Sequence, residues 1–324
     1  MKYAPVILFA YNRPEFVRQA LQSLSENLLA NETELFIFAD GPKMGATIEE
    51  SEKISKVRQL LREKKWCGSV KIFESEFNKG LARSVIDGVT EIIHKYGKVI
   101  VVEDDVVLSP YFLSFMNDAL DAYRDDERVL SIGSWSYFAS PEKIVDETYF
   151  FRFPDSIAWA TFDRAWKLFE EDSVKILREL KAKNKIRDFN AGLNYPYFSN
   201  MLQAQIDGVV NSWAIRWTAI AVLNEKLSLF PSISLSKHIG FAADATHEKN
   251  SKDYNKDILL SDHRLSLIKK TVEESPIALE EWKNFYLRNF IPANNWKSFV
   301  RGTFKKIISK SILDAYRKIR YKGK

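Results

Sequence analysis

The sequence contains a single cysteine, Cys67, among its 324 residues. One thiol excludes a disulfide within the chain and argues against a zinc site built from several cysteines. A reducing environment is compatible with this composition. We therefore expect a cytoplasmic protein.

Long uncharged apolar runs are also missing. The nearest candidate, "VNSWAIRWTAIAVLNEK", is interrupted by Arg216, so we expect no membrane-spanning helix. The N-terminal "MKYAPVILFAYNRP" has only a short apolar part and no small-residue cleavage site, and we expect no signal peptide. The chain also lacks internal repeats and has no low-complexity linker before residue 250.

The chain lacks a net positive charge outside its C-terminal end. The overall composition, 46% hydrophobic and 28% charged, is typical of a globular protein. Residues 295–324 hold ten Lys or Arg and one acid, Asp314, whereas the rest of the chain is net acidic. The basic character therefore belongs to the C-terminal segment and not to the body.

The first third of the chain alternates short apolar segments with segments of helical periodicity. The predicted strands are "APVILFAYN", "ELFIFADGP", "SVKIFESEF" and "KVIVVEDDVVL". The predicted helices are "RPEFVRQALQSLSENLL", "IEESEKISKVRQLLREKKW" and "GLARSVIDGVTEIIHKYG". This alternation predicts βαβ units and an α/β fold with a mostly parallel sheet flanked by helices. Ligands bind such sheets at the carboxyl ends of the strands, where this chain places polar and turn-forming residues.

Three acidic residues, Glu103, Asp104 and Asp105, follow the fourth apolar segment directly. On one continuous strand, Glu103 and Asp105 would share a face, with Asp104 on the other. Adjacent buried carboxylates repel unless a cation or hydrogen bonds compensate. Mg²⁺ and Mn²⁺ take one or two carboxylates and complete their shell with water and phosphate oxygens. We favour a metal site here over an acidic turn held by backbone N–H groups.

The segment "VIVVEDDVVLSPYFLSFMNDAL" resembles the acidic motif of GT-A-fold glycosyltransferases, and most closely the branch of family 2 and the N-acetylglucosaminyltransferase I type. Four further segments resemble parts of the same fold in the same order: "PVILFAYNRPEFVRQALQSL", "FADGP", "NKGLARSVIDGV" and "DSIAWATFDRAW". The resemblance covers roughly residues 4–250. It implies a GT-A, Rossmann-like fold and transfer of a sugar from a nucleotide diphosphate, with UDP favoured, to a glycan or lipid-linked acceptor. It also implies Mn²⁺ or Mg²⁺ as cofactor.

The resemblance further implies a donor site along the strand ends. Its residues would be Asn12, Arg13, Asp40, Lys79, Gly80, Arg83, Asp104 and Asp105. Asp105 would ligate the metal, Asp104 would touch the ribose or a metal-bound water, Asp40 would accept a hydrogen bond from the base, and Arg13 would lie near the phosphates or base. Asp40 also suits a turn, because Gly41 and Pro42 follow it, and Arg83 also suits a solvated helix face.

The catalytic base is less clearly defined. An inverting transferase, which we favour, needs a base for the acceptor hydroxyl. In "GVVNSWAIRW", Ala214 and Ile215 stand where the resembled enzymes have acids. Asp207 is then the first candidate and Asp155 the second, although Asp207 precedes a glycine and also suits a turn. A retaining enzyme would not need the same base.

Other candidates come from the aromatic and C-terminal segments. Trp159 lies in the segment that resembles the acceptor loop, and an aromatic ring stacks well on a sugar; Trp213 and Trp217 suit the core. In "SKHIGFAADATHEK", His247 is a candidate second metal ligand, and a surface histidine is the alternative. His238 is a weaker candidate.

The basic segment 295–324 has apolar residues at helical spacing and a Lys- and Arg-rich opposite face. Such a helix can lie in the surface of an anionic bilayer, which suits an enzyme with a lipid-linked acceptor at the inner face of the membrane. The alternative is a helix packed on the catalytic domain with a solvated basic face. Nucleic-acid binding is disfavoured by the acidic body and the lack of a nucleic-acid motif.

The sequence therefore predicts a catalytic domain, residues 1–250, and a helical, basic appendage, residues 251–324. Two other functions fit less well. A sugar nucleotidyltransferase needs a Gly-rich loop after the first strand, which "AYNRPEF" does not provide. A non-catalytic glycan-binding or scaffold protein on the same fold would explain the missing acids in "SWAIRW".

Overall fold

The computed structural model describes residues 3–136, 147–240 and 258–290. An eight-stranded sheet crosses the molecule in the order β3-β2-β1-β4-β8-β6-β9-β7. Its strands are β1 Val6–Ala10, β2 Glu34–Ala39, β3 Ser69–Glu74, β4 Lys98–Glu103, β6 Val129–Gly133, β7 Thr148–Phe151, β8 Ala158–Phe162 and β9 Leu227–Pro231. Two shorter strands, β5 Val106–Leu108 and β10 Ser236–His238, pair in a separate antiparallel ribbon.

Helices connect the strands and flank the sheet. In the described residues they are α1 Pro14–Ser25, α2 Ile48–Leu60, α3 Leu81–Tyr96, α4 Phe112–Ala122, α5 Asp163–Trp166, α6 Ser173–Ala182, α7 Ile186–Phe189, α8 Tyr197–Ile206, α9 Trp213–Leu223 and α10 Pro276–Asn289. None of these helices is both long enough and apolar enough to cross a bilayer.

The sheet is mostly parallel, as the alternation of segments predicts. Strands β3, β2, β1 and β4 are parallel neighbours, and β9 is parallel to β6. Strand β8 runs antiparallel between β4 and β6, and β7 runs antiparallel at the edge. The predicted fold class is confirmed.

The parallel half forms because each of its helices has one apolar face that packs on the sheet. In α1, Pro14 occupies the first turn, where its missing N–H is not needed. Val17, Leu21 and Leu24 then recur at helical spacing and are fully buried. Because helices cover the sheet, β1 and β4 are continuous apolar runs without alternation.

The predicted strand from Lys98 to Leu108 is wrong at the acidic triplet. Strand β4 ends at Glu103, the chain turns at Asp104 and Asp105, and β5 begins at Val106. The two halves join different partners: β4 lies between β1 and β8, whereas β5 pairs with β10. The turn therefore separates two strands that periodicity alone reads as one.

Residues 258–290 return to the sheet. Glu274 forms an isolated parallel bridge with Phe150 of β7, and the Ser261 N–H donates to the Ser234 carbonyl at 2.9 Å. Helix α10 then buries Trp282 against Phe153. These contacts join the end of the described chain to the antiparallel half of the sheet.

Candidate functional site

The carboxyl ends of β1, β2, β3 and β4 lie at one edge of the sheet, because these four strands are parallel neighbours. The residues that follow them meet there. The Tyr11 N–H, after β1, donates to Asp104 Oδ2 at 3.2 Å. The predicted grouping of strand-end residues is thus present between β1 and β4.

Asp105 is the centre of this site. Its side chain is buried, with 7% of the residue exposed. Oδ2 accepts a hydrogen bond from Arg13 Nη1 at 2.5 Å and lies 3.1 Å from His238 Nε2. The backbone takes part as well, because the Ile239 N–H donates to the Asp105 carbonyl at 2.8 Å. A single carboxylate therefore joins the loop after β1 to the chain that follows β10.

The second oxygen of Asp105, Oδ1, is buried and has no hydrogen-bond partner in the part of the chain that the structure describes. A buried carboxylate oxygen without a partner is costly, because the low-polarity surroundings do not replace the water it has lost. The charge on this oxygen points to a cationic ligand. Its position at the carboxyl end of a strand is where α/β sheets bind their ligands.

Gly240 allows the close approach of the chain after β10. A Cβ atom built on Gly240 would lie 2.1 Å from Asp105 Oδ2 and 3.0 Å from Arg13 Nη1. The Gly240 carbonyl also accepts a hydrogen bond from Arg13 Nη2 at 3.4 Å. A side chain at this position would overlap the carboxylate, so either Asp105 or the chain at residue 240 would have to shift.

The three acids of the triplet differ in ionisation. Burial opposes the charge of Asp105, but the hydrogen bond and charge of His238, together with Arg13, lower its pKa. Burial and the neighbouring charge of Asp105 raise the pKa of Asp104 to about 7. Burial, with Asp105, Asp104 and Asp155 nearby, raises the pKa of Glu103 well above its usual value. Asp105 is thus the member of the triplet that stays ionised at neutral pH.

The residues at the turn fit a metal that substrate oxygens help to hold. Within the described ranges, Asp105 Oδ1 has no partner and is a candidate metal ligand. His238 contacts the other oxygen of the same carboxylate. Among the described residues, no group of three His, Cys, Asp or Glu could hold a metal on its own. Mg²⁺ and Mn²⁺ accept such sparse sites, because water and phosphate oxygens supply the remaining ligands.

Asp40 supports a neighbouring loop. Its Oδ1 accepts from the N–H groups of Gly41, at 2.9 Å, and Lys79, at 2.8 Å, while Oδ2 accepts from the Gly80 N–H at 3.0 Å. Gly80 has φ of 78°, a conformation that glycine adopts without strain, and it caps α3. The turn interpretation of Asp40 is therefore correct, and one lone pair on Oδ2 is left for a ligand.

A family model matches the part of the chain that contains this edge. Residues 6–165 match Glycosyl transferase family 2. The matched residues include the acidic triplet, Arg13 and Asp40. No curated protein matches the sequence.

Two solved structures are similar to the chain at low identity. The mannosyltransferase PcManGT from Pyrobaculum calidifontis, in complex with GDP-Man and Mn²⁺, is 12% identical, with 68% of this chain and 74% of that chain covered and a TM-score of 0.32. TarS from S. aureus is 15% identical, with 71% and 35% covered and a TM-score of 0.35. Both scores are low, so the assignment depends on the family 2 match.

Other predicted donor residues lie around the same edge. Asn12 is half-buried and precedes Arg13, whereas the side chain of Lys79 is exposed. Arg83 lies on the exposed face of α3 and pairs with Asp87 and Glu171. Arg83 therefore lies on a solvated helix face, as in the alternative interpretation of the sequence.

The two candidate bases have different surroundings. Asp155 is buried, and its two oxygens accept four backbone N–H groups, from Ser134, Trp135, Ser156 and Ile157. Burial nevertheless raises the pKa of Asp155. Asp207, beyond the matched residues, is exposed at the end of α8 and accepts from Gln203 Nε2 at 2.8 Å. Asp155 lies close enough to raise the pKa of Glu103, whereas Asp207 has the turn position that its neighbouring glycine suggests.

Trp159 lies in the hydrophobic core. It is fully buried in β8, and its ring stacks on Trp213 at 5.1 Å and lies 5.9 Å from Trp166 and 6.3 Å from Trp217. Its faces are therefore covered by other indoles, and it stabilises the packing of α9 on the sheet. In this structure it offers no ring face to an acceptor sugar.

Two residues of the site were poorly predicted from the sequence: His238 was only a weak candidate, and Gly240 was missed. His238, the weaker of the two histidine candidates, is the one that contacts Asp105. Gly240 follows it in "HIGF", where glycine beside a candidate ligand could have indicated close approach. His247 and the basic segment 295–324 lie outside the described residues, so their predicted roles stay predictions.

Proposed function

We propose that this protein is a divalent-metal-dependent glycosyltransferase that moves a sugar from a nucleotide diphosphate, with UDP favoured, to a hydroxyl group of a glycan or lipid-linked acceptor. The observation that carries the proposal is the buried Oδ1 of Asp105, which has no hydrogen-bond partner among the described residues and lies within the segment that matches Glycosyl transferase family 2. The more specific resemblance to the N-acetylglucosaminyltransferase I type belongs to the same proposal.

Asp105 and His238 are the described residues that would hold Mn²⁺ or Mg²⁺, with His247 as a further proposed ligand. When bound, the metal supplies positive charge that offsets the charge growing on the leaving diphosphate. The chain contributes a fixed anionic ligand, since Arg13 and His238 keep Asp105 ionised. Arg13 is also the cation best placed to pair with the diphosphate.

In the proposed reaction, the bond between the sugar C1 and the diphosphate oxygen breaks, and its electron pair goes to the leaving group. The acceptor oxygen forms the new bond to C1, and its proton passes to a carboxylate base. Asp207 and Asp155 are the proposed bases for an inverting transfer. The products are a glycoside and a nucleoside diphosphate.

The remaining donor contacts are proposed along the strand ends. Asn12, Lys79, Gly80 and Arg83 would line the nucleotide, and the free lone pair of Asp40 would accept a hydrogen bond from the base. We further propose a cytoplasmic location at the inner face of the membrane. The basic segment 295–324, through its charge, would bring the enzyme to a lipid-linked acceptor.

The test is calorimetric titration of UDP and GDP into the protein, with Mn²⁺ and then with EDTA. We expect UDP binding that requires metal and is lost in Asp105→Ala, together with loss of turnover. Asp118→Ala is the matched control, because Asp118 is an exposed aspartate on α4 that pairs with Arg264. It should bind UDP as the unmodified chain does.

Each negative result has a distinct meaning. Near-normal activity of Asp105→Ala would refute the metal site. Binding of neither nucleotide under any condition would refute the transferase proposal and favour a non-catalytic glycan-binding protein.

A further inference from the structure

Arg13 is built into the site as a cation on Asp105. It directly precedes α1, where Pro14 fixes the first turn, and only 18% of its side chain is exposed. Its guanidinium donates to Asp105 Oδ2 at 2.5 Å and to the Gly240 carbonyl at 3.4 Å, and it lies 5.1 Å from the centre of the Phe16 ring. Contacts from three directions hold the positive charge beside the carboxylate.

This arrangement opposes binding of a second cation to Asp105. Oδ2 already accepts from Arg13 and lies beside His238, whereas Oδ1 has no partner among residues 3–136, 147–240 and 258–290. A divalent ion on Oδ1 would share one carboxylate with the guanidinium, and like charges at this separation repel strongly in a buried site. A divalent ion that arrives alone therefore meets an already neutralised aspartate.

A diphosphate changes this balance. It carries the negative charge that a guanidinium pairs with most readily, through two parallel N–H bonds. Arg13 can then exchange a carboxylate for a phosphate partner without losing its charge pairing. The exchange frees Asp105 to interact with the metal.

We propose that Arg13 couples metal binding to donor binding: in the donor-free protein it occupies Asp105 and weakens Mn²⁺ binding, and the donor diphosphate draws it away. This inference rests on the proposed function, since it needs a nucleotide diphosphate and a divalent metal at the same edge. It goes further, because it assigns Arg13 an inhibitory role toward the metal when the donor is absent.

The experiment measures Mn²⁺ affinity directly, from the electron paramagnetic resonance signal of free Mn²⁺, with and without UDP. We expect UDP to tighten Mn²⁺ binding to the unmodified chain by about tenfold or more, a typical allosteric coupling. In Arg13→Met, Mn²⁺ alone should bind about tenfold more tightly than to the unmodified chain, and the effect of UDP on Mn²⁺ should shrink. By linkage, the factor by which Mn²⁺ tightens UDP binding should be smaller in Arg13→Met than in the unmodified chain, to the same extent.

Two further variants define the role of charge. Arg13→Lys keeps the positive charge, so Mn²⁺ alone should still bind weakly. Arg18→Met is the matched control: Arg18 is an exposed arginine on α1 that pairs with Glu63 and not with Asp105, and its substitution should leave both affinities unchanged. If Arg13→Met does not fold, Arg13→Gln serves the same purpose.

Two outcomes would overturn the inference while leaving the proposed function intact. One is an unmodified chain that binds Mn²⁺ equally well with and without UDP while still binding UDP. The other is an Arg13→Met variant that binds Mn²⁺ no more tightly than the unmodified chain. Failure of the unmodified chain to bind any nucleotide would instead refute the proposed function itself.

Discussion

At the scale of single residues, Asp105 connects segments far apart in the sequence. Arg13 reaches it from the loop after β1, His238 from the end of β10, and Gly240 from the chain just after β10. The carboxylate is buried and ionised, so its surroundings tolerate little change in volume or charge. Substitutions here are expected to alter ligand binding before they alter the fold.

Gly240→Ala tests the close approach of the chain to Asp105. The new methyl would meet Oδ2 at 2.1 Å, so either the carboxylate or the chain after β10 must shift. We expect weaker UDP binding in the presence of Mn²⁺, by at least about tenfold, with a loss of stability of about 1–3 kcal/mol, as for overpacked sites. Calorimetric titration and urea denaturation measure the two effects.

A suitable control for this prediction changes volume at a different site. Ser25→Ala, at the exposed end of α1, should leave UDP affinity unchanged. Unchanged UDP affinity in Gly240→Ala as well would contradict the prediction and indicate that the chain after β10 adjusts without cost.

Asp104 provides a pH-dependent prediction. Its pKa of about 7 in the folded protein lies above the ordinary value, so the folded state binds this proton more tightly than the unfolded state does. The contribution of this proton to the free energy of unfolding is fully present below the pKa that Asp104 has in the unfolded state. It is lost as the pH rises through 7. Asp104→Asn should therefore raise the free energy of unfolding at pH 8 by about 1–3 kcal/mol and change it less at pH 5.

Urea denaturation in EDTA at the two pH values checks this prediction. The chelator removes any metal that would otherwise favour the charged form. An Asp104→Asn variant whose stability differs from that of the unmodified chain equally at pH 5 and pH 8 would contradict it.

The sequence indicated part of this residue-scale arrangement. The acidic triplet and Arg13 stand out because they follow apolar strands in adjacent βαβ units. The sequence does not predict the turn at Asp104 or the roles of His238 and Gly240. These features depend on the pairing of β5 with β10, and no local sequence pattern predicts that pairing. A contact between such distant segments leaves no periodicity in either one.

At the scale of elements, the two halves of the sheet differ in how far they could be predicted. Strands β1 to β4 alternate with amphipathic helices, and their boundaries follow from apolar runs and turns. Between residues 110 and 250 the aromatic residues blur this pattern. Helix α9 is buried on all sides, so its apolar residues show no single face, and the antiparallel insertion of β8 between β4 and β6 has no sequence signal.

Trp159→Ala tests whether the aromatic cluster is structural. Trp159 is fully buried against Trp213, Trp166 and Trp217, so truncation leaves a cavity. We expect a loss of about 3–5 kcal/mol in the free energy of unfolding, measured by urea denaturation. Trp159→Phe keeps an aromatic ring and should lose less.

An acceptor-binding role for Trp159 would give a different result. It would leave stability nearly unchanged in Trp159→Ala and raise the KM for the acceptor alone. That outcome would contradict the structural assignment and restore the interpretation based on the resemblance.

At the scale of the whole molecule, the chain is asymmetric in both charge and packing. After β10, residues 258–290 return to the antiparallel half of the sheet through Ser261, Glu274 and Trp282. Arg152 and Glu274 form a bidentate ion pair that holds residues 258–290 against the sheet. The basic segment 295–324 therefore follows an anchored part of the chain, and it has a net positive charge whereas the rest of the chain is net acidic.

This charge distribution leads to a prediction about membrane surfaces. A basic residue near an anionic bilayer contributes about 1 kcal/mol to binding, so several together dominate the interaction. We expect the full chain to bind vesicles of phosphatidylserine and phosphatidylcholine, measured by sedimentation, and to bind phosphatidylcholine alone weakly. Binding should also fall as salt is raised, because exposed charges are screened.

Charge removal shows whether the basic segment is responsible. Changing five of its lysines to glutamine should weaken binding to the anionic vesicles by at least about a hundredfold. These are Lys305, Lys306, Lys310, Lys318 and Lys322. The matched control changes five exposed lysines of the body, and it should bind nearly as the unmodified chain does. They are Lys56, Lys64, Lys65, Lys181 and Lys183.

The comparison of the two five-lysine variants separates local from overall charge, because both lower the net charge of the chain by the same amount. Equal losses in the two variants would mean that net charge alone governs vesicle binding. Retained binding in the variant of segment 295–324 would contradict the membrane interpretation and favour packing of that segment on the protein. A loss confined to that variant would place the enzyme at an anionic surface, where a lipid-linked acceptor is within its reach.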